Sequence, residues 1–400
     1  MKRFPVRPMD AVVALYSDSA HEMSEAIIAS LSRAVFGGGP VASAGMIQRA
    51  MARLAYRILK WTTTARGSDD EDRSGGAFNN PLLRRTGHPY ARALLDSSSA
   101  AAEALVEGGD PMNGPYMMLS PEILKASSVW DRIFLHSVQS KDVQLRFIWE
   151  TQATYEAARS RLDKGDSVRM KTVASGTGLS MIVAYDRLIR DGYDPKLITV
   201  RITDRDQSSI DKARRLLAKL PLHHGRTSDV EIEGGISAGR EDIFAEAGLD
   251  AVVGEKYDVI TAVGILEYFQ GFTSDTTEQC LRQPEPDEAV TAQCLAARLG
   301  EMTTDSAALI VNTFGLHSST RILELFGKRF DYRNRKDLSA LMATANFRNP
   351  RLVGSGHIYD IEVYEKGPTL LKPMEPIAST NPVLHQQSPL IIPSSEPRAA

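Results

Sequence analysis

Within KTVASGTGLSMIVAYDRL (171–188) a β-branched pair is followed by Gly176-Thr177-Gly178 and then by an amphipathic run. A residue without Cβ lets the chain turn sharply and lets ligand atoms approach the backbone. A Gly-x-Gly turn between a strand and a helix is therefore a candidate nucleotide cradle, although ordinary βα turns share the pattern and the neighbouring residues must decide. A dinucleotide fingerprint would place its third Gly at Met181, whose side chain would crowd the helix–strand contact. A P-loop needs Gly-Lys followed by Ser or Thr, and none follows this turn.

A second position with chemistry lies in LITVRITDRDQSSIDKARRLL (197–217). Asp204 falls at the carboxyl end of a strand, where a carboxylate accepts hydrogen bonds from ribose hydroxyls in nucleotide-binding βαβ units. Its alternative role is a helix N-cap, for which Asp206 is equally suited.

The elements that must hold these residues change in character along the chain. Apolar residues recur at helical spacing over 9–35, 43–62, 89–107, 120–136 and 139–163. In 44–61 the residues Arg49, Arg53, Arg57 and Lys60 lie opposite Ile47, Met51, Leu54 and Ile58, the pattern of a helix with one solvated face. From residue 170 strand-like and helical runs alternate, through KTVAS, SMIVAYDRLIRDG, LITVRITD, SSIDKARRLLAKL and KYDVITAVG to SAALIVNTF, with a helix over 287–302. A helix in DLSALMATANF and paired strands in RLVGSGHIYDIEVYEK close the run. Alternation of this kind predicts an α/β fold: a doubly wound, mostly parallel Rossmann-like sheet preceded by an all-helical N-terminal cap. The expected domains are a helical cap or substrate domain over 1–137, a nucleotide-binding domain over 138–366, and a disordered tail over 367–400. The tail has seven prolines and little periodicity.

Composition narrows the function classes. A hydrophobic share of 42% and a charged share of 24% are those of an ordinary globular chain, and the net charge of -3 gives no general pull toward nucleic acid or anionic membrane. No signal peptide and no membrane-spanning run is evident, so a cytoplasmic enzyme is the expectation. Cys280 and Cys294 have no neighbouring His or Cys at ligand spacing, so neither a disulfide framework nor a bound metal is expected.

VASGTGLS, ITDRDQSSIDKAR, GREDIF and YDVITAVGILEYF, in this order over roughly 140–365, resemble the successive motifs of class I S-adenosylmethionine-dependent methyltransferases. The resemblance implies that Gly176 and Gly178, flanked by Ser175, accommodate the methionine end and ribose of S-adenosyl-L-methionine. It implies that Asp204, beside Arg205, binds the ribose hydroxyls, and that Asp242, beside Ile243, binds the adenine amine. Gly264, Ile265 and Leu266 would line the pocket. The family often has an acid at what is taken here as Ala174 and a third Gly at Ser180. Without that acid, the cofactor's amino group needs another partner, a backbone carbonyl or Glu267.

The sulfonium is already a good leaving group, so alignment supplies much of the rate and a base is needed only where the acceptor loses a proton. Glu267, Tyr268 and His317 are the candidate bases, each with a structural role as the alternative. His223 and His224 fall in an expected surface loop. Trp149 and Tyr155 precede the first strand and are expected to pack in the core rather than contact cofactor. The Asn/Asp-Pro-Pro-Tyr stretch of nucleic-acid amino methyltransferases is missing after the fourth strand, and no basic, aromatic-interleaved stripe occurs. The expected partner is a small-molecule acceptor, with no nucleic acid and no membrane, and with a homodimer allowed. Two alternatives stay open: transfer or cyclisation of the cofactor's aminocarboxypropyl group, releasing methylthioadenosine, and a non-catalytic scaffold retaining the fold.

Overall fold

The computed structural model describes residues 135–218, 226–228, 234–244, 256–269, 271, 280–281, 290–317 and 330–367, with isolated helical positions between 33 and 54. The expected helices over 9–35, 43–62, 89–107 and 120–136, His223 and His224, and the tail beyond 367 lie wholly or mainly outside the described residues. Among those described, no helix is long and apolar enough to cross a membrane.

One eight-stranded sheet organises the described chain. Its strands are β1 (Val168–Thr172), β2 (Ile198–Asp204), β3 (Arg226–Ser228), β4 (Gly235–Arg240), β5 (Tyr257–Ala262), β6 (Thr303–Asn312), β7 (Phe347–Ser355) and β8 (Asp360–Lys366). They lie in the order β3-β4-β2-β1-β5-β6-β8-β7. Strands β1 to β6 pair in parallel, while β8 runs antiparallel to both β6 and β7. The order reverses beside β1, so the crevice for a ligand opens at the carboxyl ends of β1, β2 and β5. β3 is absent from the expected elements, and β4 is expected only as the unlocated strand that ends at the GREDIF motif. The sequence GISAGR of β4 lacks the bulky β-branched run that identifies a strand.

Val168, Met170, Ile198, Val200, Ile202 and Val259 are fully buried, as central parallel strands covered on both faces require. Helices α1 (Val138–Leu162), α2 (Leu179–Arg190) and α3 (Gln207–Leu217) supply the core on one face of the sheet. Helices α4 (Ala292–Glu301) and α5 (Arg335–Thr344) supply it on the other. Local chemistry starts these helices: Ser137 caps α1, Thr291 caps α4, and Asn334 with Asp337 forms a capping box on α5. Met181 is fully buried in the core rather than near any ligand crevice, and Trp149 packs directly over Gly354 of β7.

The expectation for the cysteines needs correcting. Cys280 and Cys294 are joined in a disulfide that ties residue 280 to the first turn of α4. Their separation of 14 residues hid the pairing, because only the fold brings the two Cβ atoms together.

Candidate functional site

The turn after β1 is held from both neighbours: Val173 N donates to Thr261 O of β5 at 2.9 Å, and Ser175 N donates to Thr203 O of β2 at 3.2 Å. Left-handed backbone occurs at Ala174 (φ 50), Gly176 (φ 58) and Gly178 (φ 63). Ser180, expected as the third small residue of the turn, instead lies inside α2, buried and hydrogen-bonded to Glu150. The motif therefore runs 174-176-178, with Ala174 in the first glycine position and the acidic position falling on Thr172. Identity obscured this register, because Ala takes a conformation that normally selects Gly. Gly178 also does the packing work sought at Met181, since a Cβ there would sit 2.5 Å from Ile202 Cγ2 of β2.

Asp204 faces this turn from the end of β2. Its Oδ2 accepts from Gly176 N at 2.8 Å and its Oδ1 from Asp206 N at 2.8 Å. Burial pushes its carboxyl above the ordinary range, and these two amides pull it back. The helix cap belongs to Asp206, whose side chain accepts from Ser208 N and Ser209 N. Arg205 is exposed, and its carbonyl accepts from Arg240 Nε at 3.0 Å.

The loop after β4 carries Asp242, exposed, with Oδ1 fixed by Phe244 N at 3.0 Å, and Ile243, buried. Phe244 stands 5.4 Å from Phe269, which follows β5, so the two loops share an aromatic contact. Arg298 of α4 braces this wall from behind: it donates to Ile243 O at 2.5 Å and to Cys280 O at 3.0 Å. Burial lowers its pKa to about 10, with Asp242 opposing.

After β5, Gly264 (φ 86) donates its amide to Asn312 Oδ1 of β6 at 2.6 Å. A Cβ at Gly264 would lie 2.9 Å from Arg146 Nη1, so a guanidinium from α1 reaches the strand end. Ile265, Leu266 and Glu267 turn inward and are buried. Glu267 Oε1 lies 3.7 Å from Arg146 Nη1, and its Oε2 is buried. Burial is the main cause that raises the Glu267 carboxyl, with Arg146 opposing most strongly. Tyr268 turns out to solvent, 56% exposed, against Phe330 at 5.4 Å. His317 stacks near His357 of the β7–β8 turn, with ring centroids 6.0 Å apart. The three candidate bases thus point to different surroundings, and Glu267 is the buried one of the three.

Sequence reasoning missed the inner face of α1. Asp142, Arg146 and Glu150 recur at i, i+4 and i+8 and are all buried. Asp142 Oδ2 accepts from Ile358 N and Tyr359 N, Arg146 lies over the Tyr359 ring at 4.7 Å, and Glu150 Oε1 accepts from Ser180 Oγ at 2.7 Å. Alternating charge at this spacing reads as a solvated face, which is why the signal was passed over. An open pocket of about 430 Å³ lies at the β7–β8 turn, bordered by Thr313, Arg333, Arg335, Lys336 and His357.

No family model and no curated protein matches the chain. Solved structures do. A possible exported protein from Bordetella parapertussis is 14% identical with a TM-score of 0.50, over 88% of this chain and 99% of that one. The CurJ carbon methyltransferase is 13% identical with a TM-score of 0.44, over 90% of this chain and 96% of that one. Magnesium protoporphyrin IX methyltransferase from Synechocystis PCC 6803, with bound SAH, is 13% identical with a TM-score of 0.36, over 57% and 87%. The first likeness shows a shared fold. With the strand order above, the described chain has a doubly wound α/β fold, parallel but for its last strand pairings.

Proposed function

We propose that this chain is an S-adenosylmethionine-dependent methyltransferase acting on a small-molecule acceptor. The observation that carries the reading is Asp204 at the end of β2, its carboxylate tied at 2.8 Å to the Gly176 amide of the left-handed turn. Ribose hydroxyls fit a carboxylate that is already oriented by backbone amides and set beside a turn without bulky side chains. The adenine would lie between the loops after β4 and β5, with Asp242 for its amine and Ile243, Phe244 and Phe269 as apolar flanks. Gly264 and Ile265 would bound the space between nucleoside and acceptor.

When bound, S-adenosylmethionine supplies an electrophilic methyl group on a sulfonium. The chain's own contribution is then alignment, worth up to about 7–11 kcal/mol where two reactants are held in line. Glu267 is placed to accept a proton from an acceptor hydroxyl, amine or acidic carbon, since burial raises its basicity and Arg146 keeps it oriented. His317, near His357, stands beside the open pocket that Arg335 and Lys336 also border, a place for the acceptor.

The sulfur-containing product tests the reading. Incubation of the purified protein with S-adenosylmethionine and a small-molecule extract is expected to release S-adenosylhomocysteine, identified by mass spectrometry. Methylthioadenosine in its place would assign the alternative, aminocarboxypropyl chemistry. Failure to bind the cofactor would leave a scaffold.

A further inference from the structure

The acid expected at the end of β1 is missing: the corrected register assigns that position to Thr172. By strand alternation Thr172 lies on the face of Val168 and Met170, which is the face covered by α1. Its register partner on β5 is Thr261. Over Thr261 of this pair stands Glu150 of α1, buried, with Oε1 bonded to Ser180 Oγ of α2 at 2.7 Å. Thr261 Oγ1, on the same patch, is buried and faces the Glu150 carboxylate.

Charge on this patch is unbalanced. Arg146 is the cation acting on Glu150, and the same guanidinium lies 3.7 Å from Glu267 Oε1. Glu150 therefore shares its cation with Glu267, on which Arg333 acts as well. An isolated buried carboxylate is costly, and a cationic ligand group that entered the patch would relieve it.

We propose that Glu150 is the binding residue for the primary ammonium of the cofactor's amino-acid end, supplying from α1 the carboxylate that β1 lacks. This rests on the cofactor reading above. It differs from the expectation that Glu267 takes the amino group, because Glu267 has Arg146 beside it and stands on the acceptor side. Ser180 holds one oxygen of Glu150 and so orients the carboxylate beside the turn.

Calorimetric titration separates the possibilities. Wild-type protein is titrated with S-adenosylhomocysteine, with its deaminated analogue, which keeps the carboxylate and loses only the ammonium, and with methylthioadenosine, which lacks the amino-acid end. Wild type is expected to bind the deaminated analogue at least tenfold more weakly than S-adenosylhomocysteine. Glu150→Gln is expected to erase that discrimination while leaving methylthioadenosine affinity within twofold. Thr172→Asp added to Glu150→Gln is expected to restore part of it by returning a carboxylate to the patch. Equal binding of the two homocysteine nucleosides by wild type overturns the assignment without any variant. So does retained discrimination in Glu150→Gln. If wild type binds none of the three nucleosides, the cofactor reading itself fails and takes the assignment with it.

Discussion

The Gly176 amide donates to Asp204 Oδ2 at 2.8 Å, so the turn after β1 and the carboxylate after β2 form one unit. A ligand that engages Asp204 meets a group already oriented by the turn it must also contact.

Asp204→Ala removes that acceptor and the contact to the Asp206 amide together. It is expected to weaken S-adenosylhomocysteine binding by about 1.5–3 kcal/mol, the scale for hydrogen bonds to charged groups. Isothermal titration measures it, and unchanged affinity would remove Asp204 from the site.

Two substitutions in the turn should act in opposite directions on stability. Gly178→Ala puts a Cβ 2.5 Å from Ile202 Cγ2 at a φ of 63, and is expected to destabilise by about 1–3 kcal/mol. Ala174→Gly relieves a left-handed alanine at φ 50, whose cost is about 1–2 kcal/mol, against the greater freedom of Gly in the unfolded chain. The expected net effect is neutral to stabilising by about 1 kcal/mol. Urea unfolding of both variants checks the pair.

Arg146→Met leaves Glu267 buried without its principal cation and is expected to cost about 3–5 kcal/mol, with Glu267→Gln in the same chain recovering part of the loss. The pH dependence has a definite sign. Burial raises the Glu267 carboxyl in the folded state above its usual 4.5, so the folded chain holds the proton more tightly than the unfolded chain. Its stabilising contribution is full below the unfolded pKa and is lost as pH rises through the folded one. Loss of Arg146 raises the folded value further, so the gap between Arg146→Met and wild type should narrow on acidification toward about pH 5. Denaturant unfolding at that pH and near pH 8 tests this, and a gap that widens in acid would contradict the pairing.

The disulfide offers a separate check. Alkylation of the denatured, unreduced chain is expected to find neither Cys280 nor Cys294 free. Reduction is expected to lower stability by about 3 kcal/mol, the value for a loop of this size. Because Arg298 links Cys280 O to Ile243 O, reduction should also loosen the wall that carries Asp242, which protection of the Phe244 amide from hydrogen exchange would report.

The amino-acid order by itself determined the α/β alternation, the Gly176–Gly178 turn, Asp204 and the loop after β5. Each is written locally, as a change of hydrophobic period or a residue type at a strand end, and local signals survive without knowledge of contacts. Only the tertiary structure decided the register of the turn, because Ala174 shows its left-handed backbone and Ser180 its helical one only when folded. It also decided the disulfide between residues far apart in the chain. The same holds for α1: Asp142, Arg146 and Glu150 carry the pattern of a solvated face, and packing against the sheet and the β7–β8 turn turned that face inward. A charged residue's meaning depends on what covers it, and coverage is a property of the fold rather than of the helix.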